Sequence, residues 1–155
     1  LLKLGLEESR QVSEPCVLRH LKPEPRVPEA RAAVRTGKVH SMMDLSDGLA
    51  ADLRKLCEAS NVGARAFASA LPISEDTHIA AARLDLDPIH LAAGGGEDYE
   101  LLLTCDPKAA EEIARAIAST GSTARVIGEI IECEDVTLVL PSGVEEPISG
   151  SWEHF

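Results

Sequence analysis

The sequence predicts an α/β (α+β) domain in which a mixed β-sheet is covered by helices. About five apolar runs of strand length alternate with about four segments of helical periodicity, and a turn separates two runs near the C-terminus. The length of 155 residues suits one compact domain, and 45% hydrophobic with 26% charged residues is an ordinary globular composition. A layered domain of helices on a sheet of mixed strand direction is therefore expected.

Residues 1–28 are predicted to form a linker or tail that follows an N-terminal domain missing from this chain. Four prolines fall between residues 9 and 28, and proline opposes regular helix and extends the residue before it. The chain begins at Leu1 without a methionine, as expected for a piece of a longer protein. We therefore expect one α/β domain over residues 29–155.

The first half of this domain is predicted to run helix, strand, helix. Residues 29–36 are helix formers that end at Gly37, the usual place of a C-terminal glycine cap. Residues 38–44 have strand character. Ser46 then stands as the N-cap before leucines spaced four and three residues apart, in a helix expected to end near Asn61. This order places an acidic turn between a strand and a helix.

The middle of the domain is predicted to continue as strand, helix, strand, helix. A short strand over 63–67 leads to a helix capped by Ser74 that reaches about Arg83. Three glycines then precede an apolar strand over 99–105. The Asp-Pro pair at 106–107 is a strong helix start, with aspartate as the N-cap and proline at the first position.

The C-terminal part is predicted to be strand, turn, strand. Two β-branched runs over 125–131 and 136–140 are separated by four mostly acidic residues, and a Pro-Ser-Gly turn follows at 141–143. A hairpin near the end of the chain is the result.

The net charge of the chain limits the classes of partner that it can bind. Its 26 acidic and 15 basic side chains give a net charge of −11, which repels nucleic acids and anionic membranes. A phosphorylated ligand on so acidic a surface needs divalent cations, so Mg²⁺ is the expected cofactor. The four cysteines form no CxxC pair, and no apolar run of about 18 residues is present. We expect a cytoplasmic protein that binds neither nucleic acid nor membrane.

The motif MDLSDGL at 43–49 is the first candidate site. Asp44 and Asp47 flank Ser46 where a strand passes into a helix, and two carboxylates three residues apart can present hard oxygen ligands to a cation. The free N–H groups of the helix N-terminus can bind phosphate oxygens. The alternative is that Ser46 and Asp47 only cap the helix while Gly48 eases the turn.

The motif GGGEDYE at 94–100 and the only tryptophan are the other candidates. Three glycines allow a close approach to the backbone, and Glu97 can contact a cationic ligand, although an exposed acidic turn is the alternative. The glycines have neither the P-loop lysine nor the spacing of a dinucleotide loop. Trp152 can stack on a cationic heteroaromatic ring, or it can simply anchor the C-terminal tail.

Four segments taken together resemble the thiamine-monophosphate kinase family. They are HLKPEPRV at 20–27, MDLSDGLAADL at 43–53, GGEDYELLLT at 95–104 and the closing WEHF. The resemblance covers nearly the whole chain. It implies the second of two α/β domains, in a superfamily that includes aminoimidazole ribonucleotide synthetase, selenophosphate synthetase and a hydrogenase maturation protein. In this family the N-terminal domain supplies several magnesium-binding aspartates and much of the ATP site, and it forms the dimer contact.

The resemblance also implies a role for each candidate residue. Asp44 and Asp47 would bind Mg²⁺, Ser46 would contact ATP phosphates, Glu97 would contact thiamine, and Trp152 would pack on it. The implied reaction is direct transfer of the γ-phosphoryl of ATP to thiamine monophosphate, which gives thiamine diphosphate. Two alternatives stay open. The chain is a fragment that binds ligand without turnover, or it comes from a sister ATP-dependent enzyme with another acceptor.

Overall fold

The computed structural model describes residues 6–148, which form six α-helices and six β-strands. The helices are α1 (Leu6–Leu21), α2 (Val27–Arg35), α3 (Leu49–Ser60), α4 (Glu75–Arg83), α5 (Pro88–Gly94) and α6 (Ala110–Ala118). The strands are β1 (Val39–Asp44), β2 (Gly63–Phe67), β3 (Leu101–Cys105), β4 (Gly128–Ile131), β5 (Val136–Val139) and β6 (Glu145–Pro147). The predicted α/β class with a mixed sheet is confirmed. No helix in this described range is long and apolar enough to cross a membrane.

The strands form two sheets rather than the single sheet that was predicted. Strands β1 and β3 pair antiparallel by themselves. The second sheet has the order β4-β2-β5-β6, in which β2 and β5 are parallel and the other pairs are antiparallel. The two predicted strands over 125–131 and 136–140 do not form a hairpin with each other. The Pro-Ser-Gly turn predicted at 141–143 instead joins β5 to the unpredicted strand β6, closed by the hydrogen bond from Leu140 N–H to Val144 O at 2.8 Å. Strands β4 and β5 do not pair, because β2 lies between them.

The β1–β3 pair lies between two hydrophobic cores. Met42 and Leu103 pack into a core formed with α2 and α6, where Ile113 and Ile117 are buried. Met43 and the neighbouring face of β3 pack into a larger core with α3 and the second sheet. Because successive side chains of a strand point to opposite faces, each of the two strands contributes to both cores. The end of β1 is therefore held rigidly from both sides.

The prediction of an irregular linker over residues 9–28 is wrong for its first part, because α1 occupies Leu6–Leu21. The helix is kinked at Ser13, whose φ of −158° and ψ of 101° are those of an extended residue. Ser13 Oγ accepts the N–H of Cys16 at 3.4 Å, so this serine caps a second helical segment. Pro15 lies in the first turn of that segment, where a missing N–H is tolerated. The division of the chain into linker and domain stays a prediction.

Helix α1 packs against α4 and is fixed there at its kink. Arg83 Nη1 of α4 donates to Gln11 O at 3.0 Å and also to Val12 O. Pro15 cannot bond to the carbonyl of Gln11 four residues earlier, so the arginine satisfies an acceptor that the proline leaves open. Val17 is buried. The end of α1 therefore has a defined place on the domain.

Most predicted helix boundaries are confirmed. Asn61 ends α3 in the left-handed conformation, with φ of 52°. Ser74 Oγ accepts Thr77 N–H at 3.1 Å and caps α4. Asp106 Oδ1 accepts Lys108 N–H at 2.8 Å, but it caps a 3₁₀ turn over Pro107–Ala109, and α6 itself begins at Ala110. The predicted helix over 29–36 is α2.

Two helix boundaries differ from the prediction. Ser46 is not the N-cap of α3, which begins at Leu49 after Gly48. Helix α5 was not predicted, although Asp87 Oδ1 accepts the N–H groups of Ile89 and His90 at 2.7 and 3.1 Å. Both differences lie beside the loop that follows α5, over residues 95–100.

Candidate functional site

The two motifs singled out in the sequence lie against each other. We call residues 44–48 the aspartate turn and residues 95–100 the glycine loop. Leu45 N–H donates to the carbonyl of Glu100 at 2.9 Å, and Tyr99 N–H donates back to Leu45 O at 2.9 Å. Glu97 N–H donates to Ser46 O at 2.8 Å. Pairing that begins in β1 and β3 thus continues into both loops and joins them into one corner.

Glycines make the closest approach of the two loops possible. Gly48 has φ of 91°, a conformation that side-chain-bearing residues rarely adopt. A Cβ at this position would lie 2.6 Å from the carbonyl oxygen of Gly95 and 3.0 Å from its carbon. The sequence predicted a close approach to the glycines, and the group that approaches Gly95 is the backbone of the aspartate turn. With φ of 91° and ψ of 159°, Gly48 lies outside the helical conformation, so α3 begins only after it.

The carboxylates of the aspartate turn differ in their surroundings. Asp44 is exposed at the end of β1. The Asp47 side chain is 27% exposed, and its Oδ1 accepts Ser46 Oγ–H at 3.2 Å. Its Oδ2 contacts the ammonium group of Lys55. Asp47 is thus already beside a cation, whereas the Asp44 carboxylate is open to solvent.

A buried aspartate that the sequence reading missed organises this turn. Asp52 is 0% exposed, and its Oδ2 accepts the N–H of Asp47 at 2.9 Å while its Oδ1 accepts Lys55 Nζ at 2.9 Å. The hydrogen bonds to Asp47 and then to Asp52 raise the pKa of Lys55 to about 12. A sequence signal existed: Asp52 falls on the apolar face of α3, where a charge needs a partner.

The glycine loop carries a second contact that the sequence reading missed. Glu97 has φ of 65°, and its Oε2 lies 3.3 Å from His20 Nδ1 at the end of α1. The two side chains are 28% and 31% exposed, so neither is fully solvated. The histidine comes from the segment predicted to be a linker. No local pattern in the sequence pairs these two positions.

Arg26 holds the other end of the glycine loop. Its Nε and Nη2 donate to the two carboxylate oxygens of Glu100 at 3.0 and 2.7 Å. The Arg26 side chain is 16% exposed, and the hydrogen bond to Glu100 is the main cause of its raised pKa. Glu24 and Glu29 lie 3.7 and 3.6 Å from its Nη1. Such a two-pronged pair fixes orientation as well as distance.

An open, mostly apolar groove of about 340 Å³ runs beside the aspartate turn. It is lined by Asp44 of the aspartate turn and Tyr99 of the glycine loop, together with Pro23, Pro25, Arg26, Val27, Ala30 and Leu101. Nearby, burial raises the pKa of Asp98 to about 6, and the charge of Glu100 acts in the same direction. The residue as a whole remains exposed, and water screens part of this effect.

The carboxylates suit Mg²⁺ by chemistry but do not form a complete site. Hard oxygen donors at a turn are appropriate ligands. Residues 6–148, however, contain no group of three or more His, Cys, Asp or Glu side chains placed to hold a metal ion. Asp44 and Asp47 by themselves therefore do not make a complete metal site. Trp152, the predicted stacking residue, lies outside the described residues.

Comparisons with protein families, with curated relatives and with solved structures agree with one another. Residues 5–141 match the family described as AIR synthase related protein, C-terminal domain. A thiamine-monophosphate kinase of Haemophilus influenzae is 34% identical over 141 residues, which is 88% of this chain and 42% of that protein. The thiamine-monophosphate kinase structure from Stenotrophomonas maltophilia has a TM-score of 0.69 at 33% identity, over 78% of this chain and 37% of that one.

A third similar protein is a solved complex, AaThiL with AMPPCP and TMP. Its TM-score is 0.70 at 28% identity, over 90% of this chain and 40% of that one. The chain therefore spans about two fifths of the length of these relatives. Because the family match covers nearly all of the chain and the fold agrees, the resemblance drawn from the four motifs is confirmed. The chain belongs to the AIR synthase related family, as its C-terminal domain, and its similar relatives include thiamine-monophosphate kinases.

Proposed function

We propose that the protein containing this chain is an ATP- and Mg²⁺-dependent kinase that converts thiamine monophosphate to thiamine diphosphate. The observation that carries the proposal is the corner itself, where the aspartate turn and the glycine loop meet through backbone hydrogen bonds. These are the two motifs on which the resemblance to thiamine-monophosphate kinases depends most. The similar AaThiL structure, a complex with AMPPCP and TMP, supports a nucleotide and an acceptor as the ligands.

In this proposal the aspartate turn serves the phosphates. Asp44 and Asp47 would hold Mg²⁺, which neutralises charge on the transferring phosphoryl group when it is bound. Ser46 would contact phosphate oxygens of ATP. Lys55 on α3 contacts the carboxylates of both Asp47 and Asp52, and this keeps the Asp47 carboxylate oriented. The chain's own contribution is the placement of these oxygens on a turn that the backbone fixes.

The glycine loop would serve the acceptor. Glu97 carries a negative charge on a loop of fixed conformation, which suits the cationic ring of a thiamine compound. Trp152 would pack on the same ring. Transfer from ATP to the acceptor phosphate would be direct and in line, so that no covalent intermediate with the protein is needed.

The chain is proposed to act together with a second domain. It spans about two fifths of its relatives, so the missing N-terminal half would supply further metal ligands and much of the ATP site. We propose that the isolated domain is inactive and that the full-length protein is a cytoplasmic homodimer. A fragment that binds ligand without turnover, and a sister enzyme with another acceptor, are the two alternatives that an activity assay separates.

The decisive experiment is an assay of the full-length protein for thiamine diphosphate formed from thiamine monophosphate, ATP and Mg²⁺. We expect turnover that depends on Mg²⁺. Replacing Asp47 with Asn should lower kcat/KM by about tenfold or more and raise the Mg²⁺ concentration needed for half-maximal rate. Asp76→Asn, an exposed change on α4, is the matched control. A folded wild-type protein that binds ATP but leaves thiamine monophosphate unchanged would point to a sister enzyme.

A further inference from the structure

We propose that His20 is a positioning residue for Glu97, so that the end of α1 forms part of the support of the acceptor site. This inference rests on the proposed function, because the ligand of Glu97 is taken to be the cationic acceptor. It deepens that function by giving a role to residues 20–26, which we call the connecting segment. The sequence had assigned these residues to a linker.

The backbone of the glycine loop is fixed without His20, but the Glu97 carboxylate is not. The N–H groups of Glu97 and Tyr99 bond to the aspartate turn, and both residues have positive φ, of 65° and 51°. These bonds determine where Cα of Glu97 lies. Its carboxylate is at the end of a flexible side chain. Within the described part of the chain, the basic side chain at ion-pair distance from that carboxylate is His20, whose Nδ1 lies 3.3 Å from Glu97 Oε2.

His20 is itself held in place from two directions. On its N-terminal side, Val17 is buried one turn earlier and Arg83 fixes the kink of α1. On its C-terminal side, Arg26 forms two hydrogen bonds to Glu100. The connecting segment therefore contacts the glycine loop at both ends, through residues 97 and 100. A side chain fixed in this way can direct its partner.

The chemistry of imidazole suits this task better than that of lysine or arginine. A neutral imidazole can contact a carboxylate and leave its negative charge in place, whereas an ammonium or guanidinium group cancels that charge. A carboxylate that must attract a cationic ring needs its charge. The structure thus places beside Glu97 the one basic side chain type that can orient it without neutralising it.

The pair contributes little to folding, which makes its function testable. Ion pairs between partly exposed side chains are worth about 0 to 1 kcal/mol. A carboxylate displaced by about 1 Å, in contrast, can cost a large factor in a reaction that depends on its position. Removal of His20 should therefore change recognition of the acceptor and leave the folded state almost unaffected.

The test uses the full-length protein and steady-state kinetics with each substrate varied in turn. We expect His20→Ala to raise KM for thiamine monophosphate by about tenfold, with KM for ATP and the melting temperature unchanged. His20→Gln should restore most of the affinity, because an amide can contact the carboxylate without charge. His20→Lys should not, because it neutralises Glu97. Arg19→Ala is the control, since Arg19 is exposed and its partner is the exposed Glu24.

Each outcome decides the inference. An unchanged KM for thiamine monophosphate in His20→Ala, or an equal rise in both KM values, overturns the positioning role. Equal effects of His20→Gln and His20→Ala also overturn it. In a Glu97→Gln background, His20→Ala should have little further effect, and additive effects would contradict the coupling. Wild-type protein without turnover of thiamine monophosphate overturns the proposed function, and the inference fails with it.

Discussion

The aspartate turn and the glycine loop form one corner, yet they are supported in different ways. The aspartate turn is organised by its own segment: the bond from Asp47 N–H to Asp52 spans five residues, and the contact of Lys55 with Asp47 spans eight. The glycine loop is held from outside, by a connecting segment whose Arg26 is 74 residues from Glu100. The aspartate turn is thus held by contacts within one short segment, whereas the glycine loop depends on contacts between distant parts of the chain.

This difference predicts which substitutions disrupt the aspartate turn and which disrupt the glycine loop. The local network persists as long as α3 is formed, because Asp52 and Lys55 lie on the first two turns of that helix and Asp47 lies just before it. The glycine loop needs α1 on α4 as well as the continuation of the β1–β3 pair. Perturbations of the shared contact should therefore damage both halves, whereas perturbations of one support should damage one half.

The largest effect is expected at the point where the two halves touch. Gly48→Ala places a Cβ 2.6 Å from Gly95 O and forces an alanine into φ near 91°. We expect a loss of about 2–4 kcal/mol in the free energy of unfolding, measured by urea denaturation of the chain. Gly121→Ala is the control, because Gly121 has φ of 92° and open space around its Cβ. It should lose only about 1–2 kcal/mol. Equal losses would show that the loops do not meet closely.

A smaller effect is expected from the local network alone. Asp52→Asn leaves an uncharged amide between Asp47 N–H and Lys55, so one of the two hydrogen bonds is lost in a buried place. We expect a loss of about 2 kcal/mol in the free energy of unfolding by urea. Asp76→Asn, on the exposed first turn of α4, should change it by less than about 0.5 kcal/mol. A loss no greater than that of the control would mean that Asp52 does not organise the turn.

The smallest effect concerns the pH dependence of the glycine loop. Because the pKa of Asp98 is raised to about 6, the folded state keeps a proton that the unfolded state loses near its lower reference pKa. Asp98 therefore stabilises the fold at low pH, and this contribution is lost as the pH rises from about 4 to about 6. Urea unfolding across this range should show wild type losing stability relative to Asp98→Asn. The size is limited by solvent at this exposed residue.

The control for this last prediction is Glu134→Gln, in the exposed turn between β4 and β5. Its difference from wild type should stay constant over the same pH range. A constant difference for Asp98→Asn as well would contradict a raised pKa. The comparison then tests whether the charge of the loop is affected by its packed surroundings.

Local signals predicted most elements of the fold. Strand β2 and the helix capped by Ser74 are found where the cap and the apolar runs placed them, and α6 follows directly after the 3₁₀ turn that Asp106 caps. The two helices that were not predicted are α5 and α1. Asp87 and Pro88 start α5 with the same pair that was recognised at 106–107, but the following glycines obscured so short a helix. The prolines near α1 suggested a linker, although Pro15 occupies the first turn after the Ser13 cap.

The fold class, the family resemblance and the two motifs of the corner could all be predicted from the amino-acid sequence, because caps, periodicity and short motifs act over a few residues. The packed fold, in contrast, was needed to show that β1 and β3 form a sheet of their own and that Gly48 and Gly95 touch. It was also needed to show that His20 and Arg26 reach the glycine loop. Contacts between residues far apart in the chain form only when helices and strands pack their apolar faces, and no local pattern encodes which side chains that packing brings together.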